Sequence, residues 1–202
     1  MKKPKLLIAT TNKGKLEEIR AILGNLELEL LSPADLGLEL EVEEDGQTYA
    51  ENATKKALAF SQASGLTSLA DDSGLEVGAL DGAPGLHSAR YSTLPNATDA
   101  DRRATLLLNL SRKPRPWAAR FRATVAIASP GRSVKLAEGI CPGEIIPEER
   151  GTGGFGYDPI FLVEGSNQPM AELEMNEKNR LSHRGQALRN AIPILSKLFG
   201  IQ

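Results

Sequence analysis

The sequence is short of several residue types, and each shortage closes a class of function. There is one cysteine, Cys141, so neither an intrachain disulfide nor a cysteine-built zinc site can form. Two histidines, His87 and His183, are too few for a multi-histidine zinc centre. Aromatics are 4% of 202 residues, and 24 basic residues face 26 acidic ones, a net charge of −2. Proteins that live on nucleic-acid backbone are normally basic, so nucleic acid is not the expected partner. No apolar run approaches the roughly 18–20 residues of a membrane span. The start, MKKPKLLIATTNKGK, is basic and then apolar, but its apolar run ends after about five residues, where a secretory signal needs roughly 7–15. A soluble, cytoplasmic protein is expected. There is no G-x-S-x-G elbow for a hydrolase triad and no Walker GxxxxGK[ST] loop.

What is present is ordinary globular composition, 41% hydrophobic and 25% charged, enough for one domain of one or two lobes. Residues 5–10 form a short apolar run that reads as a buried strand. Leu16, Ile19, Ile22 and Leu23 recur at helical spacing before Gly24. Leu38, Leu40 and Val42 alternate with Glu39, Glu41 and Glu43, which predicts a half-buried strand with an acidic outer face. Residues 48–64 are Ala-rich, lack Gly and Pro, and predict a helix ending before Gly65. Residues 66–70 read as strand. Residues 98–101 resemble a capping box opening a helix through Ser111. Segments 121–128 and 133–141 flank Pro130-Gly131 and predict a hairpin. A short strand is expected at 159–163, and a last helix over 186–199, with Pro193 as a kink or break. Strands mixed with helices, one pair antiparallel, describe an α/β fold with a mixed sheet.

Five segments can carry chemistry. Thr10-Thr11-Asn12-Lys13-Gly14-Lys15 leaves a strand and enters a helix, where unpaired N–H groups and the dipole favour an anion. Two lysines and Gly14 make it a phosphate cradle; a capped polar loop would look the same. Glu43-Glu44-Asp45-Gly46 precedes a helix carrying Glu51, Asn52, Lys55 and Lys56. Asn52 and Lys56 are four apart and share a face. A metal–phosphate pair is one reading, a solvated turn with a Glu51–Lys55 pair the other. In Asp71-Asp72-Ser73-Gly74 an apolar strand runs into two adjacent acids. They repel unless a positive charge sits beside them, and magnesium takes one or two carboxylates plus phosphate and water. Neighbours in an extended chain face opposite ways, so one Asp serves metal or water and the other serves structure. A turn with an Asx cap is the alternative. Residues 151–156 match G-x-G-x-x-G, but no strand precedes them and no helix follows, so the dinucleotide reading fails. The loop instead presents Phe155 and Tyr157 beside Asp158, for stacking on a base or for plugging the core. Lys178 and Ser182-His183-Arg184-Gly185 bring donors to the start of the last helix.

Taken in order, these segments resemble the inosine-triphosphate pyrophosphatase family, which acts on noncanonical purine nucleoside triphosphates. The resemblance runs from TTNKGK at 10–15 through EEDG, ENATKKA, ADDSGLEV, GAPGLHSARYS and GTGGFGYDPIF to SHRGQAL at 182–188. It implies one pyrophosphatase domain over 1–202, elongated and two-lobed, with a central mixed sheet flanked by helices and the active-site cleft between the lobes. It implies magnesium-dependent hydrolysis of ITP, dITP and XTP to the monophosphate and pyrophosphate, cleaning the nucleotide pool, and a homodimer. By the same resemblance Thr10, Asn12 and Lys15 bind phosphates with Lys56. Glu44 and Asp72 hold magnesium, and Asp72 also accepts the proton of the attacking water, supported by Asp71. A coordinated carboxylate is a weaker base, a tension that the cation relieves by acidifying its own water. Ser73 contacts substrate. Phe155 and the backbone of Gly156, Tyr157 and Asp158 hold the base, and Lys178, His183 and Arg184 read its edge. Arginine only donates, so Arg184 facing the six-position oxygen would reject adenine. Guanine shares that oxygen, so its exclusion would need a backbone donor in the 155–158 loop. The competing expectations are a pyrophosphatase for other modified nucleotides and a nucleotide-binding protein without turnover.

Overall fold

An apolar run with no alternation has to be covered on both faces, and β1 (Lys5–Ile8) is. Leu6 and Ile8 lie in one buried cluster with Ile19, Leu23, Leu188 and Leu195, and Leu7 lies in another with Ala53, Ala57 and Phe60. The first cluster draws on helices α1 (Lys13–Leu23) and α5 (His183–Phe199), the second on α2 (Tyr49–Ser64). The computed structural model describes residues 2–201. Its remaining elements are strands β2 (Glu29–Leu31), β3 (Thr67–Val77), β4 (Trp117–Ala128), β5 (Lys135–Ile145) and β6 (Phe161–Val163), with helices α3 (Asp99–Leu110) and α4 (Met175–Leu181).

The six strands form one sheet in the order β2-β1-β3-β4-β5-β6. β1 pairs in parallel with β2 and with β3, and β5 pairs antiparallel with β6, so the sheet is mixed as expected. The chain divides into two compact units. One holds the residues up to Asp72, Ala123–Gly139 and those from Arg184 onward; the other holds Ser73–Arg122 and Ile140–His183. The core of the second unit gathers Leu75, Leu106, Leu110, Phe121, Tyr157 and Phe161.

The helix caps follow the sequence signals. Asn12 caps α1 by accepting from Lys15 N–H, Thr48 caps α2 by accepting from Glu51 N–H, and Gly65 ends α2 in the left-handed region. Thr98 and Asp101 close the expected capping box of α3. β4 and β5 neighbour one another across the turn at 129–134, where the hairpin was expected. α5 continues through Pro193, so the proline does not break it.

Two expectations change. Residues 38–43 form no strand, although Leu38, Leu40 and Val42 face the second cluster and the three glutamates face solvent. The alternation recorded an extended chain packed on a core, not a chain with a sheet partner. Asp71 and Asp72 do not end a strand but lie inside β3. Among the described residues no helix is long and apolar enough to cross a membrane.

Candidate active site

In the first unit, the loop after β1 delivers Lys15 into the protein. Asn12 spends its side-chain oxygen on Lys15 N–H at 3.0 Å, and Thr10 Oγ1 accepts from Asn12 N–H at 3.2 Å. Thr11 and Lys13 are exposed, and Gly14 is half-buried. Lys15 Nζ stands 3.2 Å from Asp71 Oδ2. The same oxygen accepts from Arg184 Nε at 3.0 Å, and Arg184 Nη1 donates to Glu18 Oε2 at 2.5 Å. Asp71, Glu18 and Arg184 are all buried. Burial raises the Asp71 pKa, but Lys15, Arg184 and Lys56 outweigh it and hold the carboxyl well below its ordinary value. The Lys15 pKa is also lowered, which for a lysine disfavours the charged form. Burial lowers its pKa, Asp71 only partly offsets this, and Arg184 and Lys56 add to the lowering. A phosphate beside Lys15 would add negative charge and favour its charged form.

Asp72 points to different company, as the period-two geometry of β3 requires. Its Oδ2 accepts from Asn52 Nδ2 at 3.0 Å, while Asn52 Oδ1 accepts from Gly46 N–H at 2.8 Å. Asn52 thus ties the turn before α2 to Asp72. Burial raises the Asp72 pKa and Glu44 raises it further, against Lys15, Asn52 and Lys56. Lys56, one turn after Asn52, pairs with Glu44 and donates to the Asp71 carbonyl at 3.2 Å. Lys55 pairs with Asp45 at the surface, not with Glu51, which accepts from Gln47 N–H.

The donors fit magnesium. Glu44 and Asp72 offer hard oxygens, and the charge of Glu44 raises the Asp72 pKa, a repulsion that a divalent cation would relieve. Among the described residues no group of three or more His, Cys, Asp or Glu forms a cage.

In the second unit, Ser73 is half-buried in β3 next to Asp72. Phe155 N–H donates to Asp158 Oδ2 at 2.9 Å, and Lys178 Nζ reaches the same oxygen at 2.6 Å. Lys178 Nζ also sits 5.0 Å from the Phe155 ring centroid. Gly154 has φ +72, and a Cβ there would come within 2.1 Å of Asp158 Oδ2, so this turn needs glycine. Tyr157 takes the core-plugging alternative. It is buried, and its hydroxyl donates to the Ser88 carbonyl at 2.9 Å. His183 is buried and stacks on Phe121, centroids 4.6 Å apart and planes 10° apart.

The structure thus gathers Lys15, Asp71 and Arg184, gathers Asp72 with Asn52, and gathers Phe155, Asp158 and Lys178. It revises two ideas about the base. Arg184 Nε and Nη1 are engaged by Asp71 and Glu18, so those donors are not open to a six-position oxygen. The N–H groups of Phe155, Gly156 and Asp158 are likewise used, by Asp158 Oδ2, Asp99 Oδ2 and the Phe155 carbonyl. Sequence reasoning missed Glu18 and Asp99 and did not give Asn52 a role. Lys15 and Glu18 lie on the stripe that carries Ile22, three and four residues apart. Charges on a buried stripe are the signal that could have found the pair.

The fold and these groups define an α/β protein in which half-buried Lys15 meets a buried Asp71–Arg184–Glu18 network, a centre suited to an anionic ligand. Its sequence matches the model of the Ham1 family over residues 6–194. It is 48% identical over 196 residues to a dITP/XTP pyrophosphatase of Desulforamulus reducens, covering 96% of this chain and 97% of the relative. It is 51% identical over 185 residues to a dITP/XTP pyrophosphatase of Geobacter sulfurreducens, covering 91% and 92%. A HAM1 protein structure from Coxiella burnetii superposes with TM-score 0.86 at 38% identity, covering 96% of this chain and 99% of that one. The chain belongs to the Ham1 family, which bears out the resemblance read from the motifs.

Proposed function

We propose that the protein hydrolyses noncanonical purine nucleoside triphosphates (dITP, XTP and ITP) to the monophosphate and pyrophosphate. The observation that carries this is half-buried Lys15, 3.2 Å from Asp71 and beside the strand that carries Asp72. The relatives named dITP/XTP pyrophosphatase support the substrate class. Such an enzyme is a hydrolase acting on acid anhydrides, and cytoplasm, where nucleotide pools are, is its proposed place.

Thr10, Asn12, Lys15 and Lys56 would bind phosphates. Glu44 and Asp72 would hold magnesium, which when bound neutralises phosphate charge and acidifies its water. Asp72 would take the proton of the attacking water, which magnesium, when bound, would make more acidic. The water oxygen bonds to phosphorus, the bond between the α- and β-phosphoryl groups breaks, and pyrophosphate leaves. Asn52 holds Asp72 in place, and Arg184 holds Asp71. Phe155 would stack on the base, and Lys178, a donor-only group beside that ring, would select a six-position oxygen together with His183. The homodimer implied by the motifs remains a proposal; light scattering at 21.7 kDa, not twice that mass, would contradict it.

Incubation with ITP, with and without magnesium, tests the reaction. The expected products are IMP and pyrophosphate, formed only with the metal. IDP with inorganic phosphate, or no turnover, would overturn the proposal.

A further inference from the structure

We propose that Asp99 and Arg103 are positioning residues for purine binding, acting through the peptide groups of Gly156. This rests on the function proposed above. The two lie one turn apart on α3 and so share a face. Asp99 Oδ2 accepts from Gly156 N–H at 2.7 Å, and Arg103 Nη1 donates to the Gly156 carbonyl at 2.9 Å. One residue is gripped by both its donor and its acceptor.

Neither side chain is needed to cap the helix, because Thr98 and Asp101 do that. Both are themselves braced. Arg103 Nε and Nη2 form a two-bond pair with Glu149 at 2.9 and 2.8 Å. Asp99 pairs through Oδ1 with Arg102, whose Nη1 donates to the Ala97 carbonyl at 2.7 Å. The helix therefore holds the chain at residue 149 and again at 156.

Between those points lie Gly151, Gly153 and Gly154, and Gly156 itself has φ +63. Glycine has the most backbone freedom to lose, so such a loop keeps one conformation only if something outside it imposes one. Phe155 sits inside this span, directly before the gripped residue. Releasing the grip removes the hold of α3 on the residue beside the ring, so Phe155 keeps only its nearer bonds to Asp158, and the Lys15–Asp71–Asp72 contacts stay as they are.

The test is steady-state kinetics of Asp99→Ala and Arg103→Ala on ITP and ATP, with Asp99→Asn as the conservative variant. Restoring about one residue's backbone freedom should raise KM for ITP about tenfold. The kcat should stay near wild type, and the ITP-to-ATP ratio of kcat/KM should narrow. Asp99→Asn keeps an oxygen acceptor for the Gly156 N–H and should retain most of the wild-type KM. Unchanged KM and ratio in both alanine variants, or a fall in kcat alone, would overturn the proposal. Hydrogen exchange of the Gly156 amide in the wild-type protein reads the grip without turnover or mutation. Slow exchange is expected, and exchange at the rate of an open loop would contradict it. A wild-type protein inert toward ITP but with a protected Gly156 amide would instead sink the function reading.

Discussion

Arg184 shows best how the partners of one side chain can lie far from its neighbours in sequence. Between His183 and Gly185 it reads as part of a base-reading motif, yet its guanidinium joins Glu18 and Asp71. Its partners lie 166 and 113 residues away, so no local pattern announces them. Truncating one member of a buried ion pair strands the others and costs about 3–5 kcal/mol. Arg184→Ala should lower the melting temperature sharply and reduce turnover of every nucleotide alike. A variant of wild-type stability that loses only base preference would restore the earlier role. Asp71 gives a pH prediction at the same scale. Its folded pKa lies below the ordinary 3.8, so its ion pairs contribute in full above that value. The contribution is lost as pH falls through the depressed folded value. Denaturant titrations from about pH 5 downward should show stability falling, and Asp71→Asn should flatten that acid limb. An acid limb unchanged in the variant would contradict the assignment.

At the level of elements, helix bounds were the most legible feature, because caps are local chemistry. Asn12, Thr48, the Thr98–Asp101 box and Gly65 mark helix ends by what they bond within three or four residues. Strand partners are not local. Leu38, Leu40 and Val42 announced a buried side but could not say whether another strand lay alongside, and none does. The two-way split of Asp71 and Asp72 was legible because alternation in β3 requires it. Asn52 was only half legible: its spacing from Lys56 placed it on the right face, but not against Asp72. The turn before α2 now carries a prediction. A Cβ on Gly46 would lie 2.6 Å from Asn52 Oδ1 and 2.8 Å from Glu51 Cβ. Gly46→Ala should push Asn52 off Asp72 and lower kcat, while circular dichroism shows α2 retained. Wild-type kcat in that variant would mean that Asn52 does not position Asp72.

For the whole molecule, the ordered set of weak motifs carried more than any one of them. TTNKGK alone is a capped loop and ADDSG alone a turn. Spread in order over nearly the whole chain they point to one family, and the match over residues 6–194 agrees. What order cannot supply is which side chains meet once the chain divides into two compact units. Lys15, Asp71 and Arg184 come together in one, while Phe155, Asp158 and Lys178 come together in the other. The central claim is chemistry at Asp72 on noncanonical purine triphosphates. The most direct test is pyrophosphate release from ITP, dITP, XTP, GTP and ATP by the wild-type protein and by Asp72→Asn. The account predicts fast release from the first three and slow release from GTP and ATP. It also predicts a loss of about a hundredfold or more in a folded Asp72→Asn variant. Equal rates on ATP and ITP, or wild-type rates without the Asp72 carboxylate, would contradict it.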